Sequence, residues 1–129
     1  MIAWIDETTF KRDTEENPEG VFALQFGTDW CKNCELVSPL IEELAEKYKD
    51  EADLKIGFVD ADGELEFVEE QNIASIPTTA IYVGDKVVER IVGAHPIKTY
   101  EDAIRKHYFK EGNEIERNRI AEPEPIDFD

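Results

Sequence analysis

The chain is 129 residues long and 41% hydrophobic, enough for one folded domain with a buried core. Its formal net charge of −17 leaves no clustered Lys and Arg for phosphates, which argues against nucleic acid or an anionic membrane surface as partner. The acidity reads as a solubilising coat, with salt adaptation or basic partners as the other readings.

Met1 to Glu7 has neither a basic region nor a long apolar stretch, so no secretory signal is expected. No run approaches the roughly 20 apolar residues of a membrane span. The expected location is cytoplasmic, where thiols are held reduced and a cysteine pair is more often catalytic than structural.

Ile2 to Ile5 reads as a short edge strand. Asp6 or Thr8 then caps a helix over about Glu7 to Asp13. Asn17-Pro18-Glu19-Gly20 is a turn. Val21 to Phe26 is an apolar run of buried-strand length, broken by Gly27-Thr28-Asp29. From Cys31 to Lys49 apolar residues recur at Leu36, Val37, Leu40, Ile41, Leu44, Ala45 and Tyr48, a helix with one apolar face bent at Pro39. Leu54 to Val59 is a second core strand. Glu64 to Gln71 is a short helix with Leu65, Phe67 and Val68 as its apolar contacts, ended by Asn72. Thr78 to Val83 and Lys86 to Val92 form a hairpin around Gly84-Asp85. Gly93 breaks the second strand, and Thr99 to Phe109 is a last helix. The order β-α-β-α-β-α-β-β-α gives an α/β fold, a mixed central sheet with helices on both faces.

Residues 1–110 are read as one domain and 111–129 as an acidic extension. The extension holds seven acidic and two basic residues, with Pro123 and Pro125 alternating with Glu122 and Glu124, so a disordered tail is expected. A docking segment using Ile115, Ile120, Ile126 and Phe128 is the alternative.

The only cysteines are Cys31 and Cys34, at a strand-to-helix junction. A thiol attacks a disulfide as its thiolate, and a helix N-terminus offers unpaired N–H groups to that anion. Lys32 adds positive charge beside it, while Asp29 and Glu35 oppose it. Cys34 lies one turn on, on the same side of the helix. Cys31 is therefore the expected attacking thiol and Cys34 the resolving one, with no bound cofactor and no metal. Rival readings are a zinc half-site completed by His95 and His107, or two idle core cysteines.

The run Trp30-Cys31-Lys32-Asn33-Cys34 after an apolar strand, Pro39 five residues on, Ile76-Pro77-Thr78, and Gly84 and Gly93 around a hairpin resemble the thioredoxin family over about residues 2 to 109. The resemblance implies the thioredoxin fold and a protein-disulfide reductase. It implies a cis Pro77 facing the cysteine pair and Trp30 in an apolar collar around it. It also implies a substrate groove shaped by Trp30, Ile76, Pro77 and Gly93. The implied partners are protein disulfides and a thioredoxin-reductase-like donor, with the protein a monomer.

The chain departs from the family pattern at three places. Lys32-Asn33 stands where Gly-Pro is usual between the cysteines. Gln25 stands where the family commonly buries an Asp, six residues before the first cysteine. Gly57 or Phe58 replaces that acid's lysine partner; loss of both is coherent, since either charge buried alone is costly. Alternatives within the same fold are a dedicated redox donor, an oxidase or isomerase, and a non-catalytic binding module.

Overall fold

The computed structural model of the chain describes residues 3–110. The expectations for Ile2 and for 111–129 lie outside the described residues.

The elements are β1 (Ala3–Trp4), α1 (Glu7–Glu16), β2 (Val21–Gly27), α2 (Lys32–Lys47), β3 (Leu54–Asp60), α3 (Leu65–Glu70), β4 (Thr78–Val83), β5 (Lys86–Val92) and α4 (Ile97–Tyr108). Their order is the one read from the sequence. The sheet runs β1-β3-β2-β4-β5, with β1 and β2 parallel to β3 and the pairs β2·β4 and β4·β5 antiparallel. β2 is the middle strand, which is why Val21 to Phe26 is an unbroken apolar run apart from Gln25.

Side chains along β2 alternate between two cores. Val21 and Ala23 join Val37, Ile41, Leu44 and Tyr48 of α2 and Tyr100, Ala103 and Ile104 of α4. Phe22, Leu24 and Phe26 join Phe10 of α1, Phe67 of α3 and Tyr82. Phe10 anchors that second core, with its ring 4.8 Å from Tyr82 and 5.2 Å from Phe67. Burying a side chain of this size stabilises the fold by about 1.5–3 kcal/mol.

Asp6 caps α1, its side chain accepting from Thr9 N at 2.7 Å. The helix runs one turn past the expected end at Asp13. Thr14 is buried there, with its hydroxyl satisfied by Phe10 O at 2.8 Å. Two expected core residues are at the surface instead. Leu65 is 69% exposed, because α3 is too short to turn more than Phe67 and Val68 onto the sheet. Leu36 is 62% exposed, at the margin of the stripe that Val37, Ile41 and Leu44 bury. α2 continues through Pro39; Glu35 and Pro39 are both exposed, so water can take the place of the missing donor. Gly84 has φ +61°, and a Cβ there would fall 2.4 Å from Pro18 O, so the hairpin turn needs glycine twice over.

Candidate active site

β2 ends at Gly27, and the chain crosses to α2 through Thr28, Asp29 and Trp30. Cys31 is the helix cap: its backbone is extended, at φ −92° and ψ 117°, and its Sγ accepts from Cys34 N at 3.2 Å. This is the N–H that a Cys31 thiolate would use. Both cysteines are free thiols, with Cys31 9% and Cys34 2% exposed. Burial, and then the hydrogen bond to Cys31, push the Cys34 thiol up to about 11, against the pull of the Thr28 backbone N–H.

Behind Cys34 the contacts are uncharged. Ser38 Oγ donates to Cys34 O at 2.8 Å and lies 3.2 Å from Gln25 Oε1. Gln25 is 2% exposed, so the site where a carboxylate was usual holds a buried amide. Phe58 of β3 and Thr79 of β4 lie across from it in register. The Thr79 hydroxyl is buried and has no hydrogen-bond partner among the described residues.

The second part of the site comes from the start of β4. The Ile76–Pro77 bond is cis. Thr78 pairs with Phe26, so the chain entering β4 at Pro77 and the chain leaving β2 at Gly27 emerge from the same end of the sheet. Gly93 N donates to Pro77 O at 2.8 Å, and Tyr100 OH donates to Gly93 O at 3.0 Å. Tyr100 is fully buried in α4, so it fixes the loop that carries Gly93 against Pro77. A Cβ at Gly93 would meet nothing within 4 Å, so the residue is glycine for its φ of +86° and not for space.

Trp30 is 66% exposed, and its Nε1 donates to Asp62 Oδ2 at 2.6 Å. The indole therefore stands at the surface on a polar tether. Asp29, Lys32 and Asn33 are exposed around the pair. The two histidines have partners of their own: His95 Nε2 is 2.8 Å from Val92 O, and His107 Nε2 is 2.9 Å from Glu89 Oε1.

Four contributors went unread in the sequence: Gly27, Thr28, Ser38 and Asp62. Ser38 carried a signal, four residues beyond Cys34 on one helix face. Gly27 was visible only as a strand breaker. Asp62 had none, because its contact with Trp30 spans 32 residues.

A groove of about 620 Å³ opens beside Cys34, along α2 and the C-terminal end of β3. Gln25, Gly27 and Ser38 line it on the cysteine side, and Trp4 and Phe58 on the other.

The family model for thioredoxin matches residues 2–106. The thioredoxin of Listeria monocytogenes is 35% identical over 107 residues, covering 83% of this chain and 99% of that protein. Thioredoxin 1 of Nostoc sp. is 31% identical over 105 residues, covering 81% and 95%. Among solved structures, the thioredoxin of Malassezia sympodialis superposes with a TM-score of 0.73 at 24% identity, over 83% of this chain and 90% of that one. Cys31 and Cys34 match the family's Trp-Cys-x-x-Cys site. The chain belongs to the thioredoxin family and is a thiol–disulfide oxidoreductase that reduces protein disulfides.

Proposed function

We propose that Cys31 is the attacking thiol and Cys34 the resolving one. The observation that carries this is their asymmetry: Cys31 Sγ caps a helix and receives an N–H, whereas the Cys34 thiol is 2% exposed and pushed up to about 11. The Cys31 thiolate attacks one substrate sulfur, forming a mixed disulfide and expelling the other sulfur, which takes up a proton. Cys34, deprotonated, then attacks Cys31, closing the Cys31–Cys34 disulfide and releasing the second substrate thiol. Two electrons pass to the substrate, and a reductase-type donor returns them. Trp30, Ile76, Pro77 and Gly93 form the surface on which the substrate lies. The Lys32 and Asp29 charges act in opposite senses on the Cys31 anion. We place the protein in the cytoplasm as a monomer away from membranes; no helix among the described residues is long and apolar enough to cross one.

Trapping tests the roles. Cys34→Ser should hold a disulfide peptide as a stable mixed disulfide on Cys31, and Cys31→Ser should hold none. Capture through Cys34 in Cys31→Ser would reverse the assignment. A reduction potential near about −270 mV fits a reductase, and one between about −180 and −120 mV an isomerase or oxidant.

A further inference from the structure

We propose that the groove beside Cys34 is a docking site for an arginine-bearing segment of the disulfide partner. The inference deepens the reading of Cys31 as attacking thiol, since that chemistry brings the partner to this end of the sheet. Three features select the occupant. The groove is lined by five carboxylates, among them Glu35, Glu42 and Asp60, and by no Lys or Arg. Glu35 and Glu42 stand seven residues apart on α2, both exposed, and neither is ion-paired among the described residues. At the other wall Trp4 is 67% exposed, tilted against Phe58 with ring centroids 5.3 Å apart.

A guanidinium matches both walls. It binds carboxylates through a planar fork and stacks on an indole, whereas an ammonium does the first less well and the second more weakly. An acidic segment is repelled, and an apolar one leaves the carboxylates unanswered. The chain's own segment 111–129 has seven acids to two arginines and is a poor occupant on charge. The diffuse charge of −17 attracts any cation over long range, but it does not distinguish one surface from another. Selection in the groove must therefore depend on Trp4 and Glu42 and not on distant acids.

The test uses the full chain and two disulfide-linked peptides that differ only in arginine against citrulline, scanned along the residues flanking the disulfide. The expected result is a kcat/KM about five- to tenfold higher for the arginine peptide, expressed in KM and weakened by salt. Glu42→Gln, an exposed helix substitution that leaves the fold intact, should lower that ratio about twofold, and Trp4→Ala should bring it close to one. Glu15→Gln on α1, outside the groove, should leave it unchanged. Equal reduction of both peptides, or a ratio that Glu15→Gln lowers as much as Glu42→Gln does, overturns the groove and leaves the Cys31–Cys34 chemistry standing. Reduction of neither peptide overturns both.

Discussion

Gly27 lies against Cys34 so closely that a Cβ at position 27 would come within 2.8 Å of the Cys34 sulfur. The last residue of β2 therefore has no side chain because the buried thiol of α2 occupies that space. Gly27→Ala should push Cys34 or the first turn of α2 outward. The expected cost is about 1–3 kcal/mol of stability in the reduced protein, as for other overpacked sites. Closure of the disulfide should also slow, since the two sulfurs must reach about 2.0 Å. Urea denaturation and the rate of release from a mixed disulfide measure the two effects. Wild-type values for both would show that the sulfur has room to yield.

The difference between the two thiols makes a second prediction. With its thiol pushed up to about 11, Cys34 holds a very small thiolate fraction at neutral pH and is also buried. Iodoacetamide should modify Cys31 first. Modification of Cys34 in Cys31→Ser should rise roughly tenfold per pH unit through the alkaline range, flattening only as the pH nears the thiol's own value. That variant lacks the hydrogen bond to Cys31 that helps hold the value up, so flattening should begin somewhat below 11. Mass spectrometry of protein quenched across the pH range reads this directly. A plateau reached by neutral pH would contradict the burial argument.

The sequence carried the order of elements and the cysteine junction well, because both depend on local pattern. Val21 to Phe26 announces a buried strand, and Cys31 beside it announces a helix start. What it could not carry was contact between distant segments. Asp62 holds Trp30 across 32 residues, and Tyr100 holds Gly93 through a bond to its backbone carbonyl that leaves no trace in composition. Leu36 and Leu65 misled for a related reason. Helical period gives a face, but the length of the partner surface decides which members of that face are covered.

Gln25 gives a third prediction. Its amide is 2% exposed, beside Ser38 and across from the Thr79 hydroxyl, which has no hydrogen-bond partner among the described residues. Gln25→Asp would bury a carboxyl there. Burial raises the pKa of an acid, so the folded state prefers the protonated form. That stability is present below about pH 3.9 and is lost as pH rises through the raised value. A shift of about 1.5–3 units corresponds to about 2–4 kcal/mol lost at pH 7. In return the new carboxylate can accept the Cys34 proton, so resolution of the mixed disulfide should be faster than in the wild type near neutral pH. Denaturation at pH 4 and pH 8, with stopped-flow resolution at pH 7, separates the two. Equal stability loss at both pH values would show that the carboxyl does not titrate in the fold.

A fourth prediction concerns the far end of α2, where Glu101 of α4 is the hub. Its Oε2 accepts from Lys47 Nζ at 2.6 Å and Tyr48 OH at 2.5 Å, and Arg105 donates to Tyr48 OH at 2.8 Å. Lys47 first, then Tyr48, hold the Glu101 carboxyl below its usual 4.5. A depressed acid contributes stability that is fully present above the unfolded value and lost as pH falls through the folded one. Glu101→Gln should therefore cost about 1–2 kcal/mol at pH 7, with the deficit shrinking below about pH 4.5. Disulfide reduction should be unchanged, because 16 helical residues, roughly 24 Å, separate this knot from Cys31. Urea melts at pH 7 and pH 3, beside a reduction assay at pH 7, check all three. A deficit that persists undiminished at pH 3 would assign the loss to packing and not to charge.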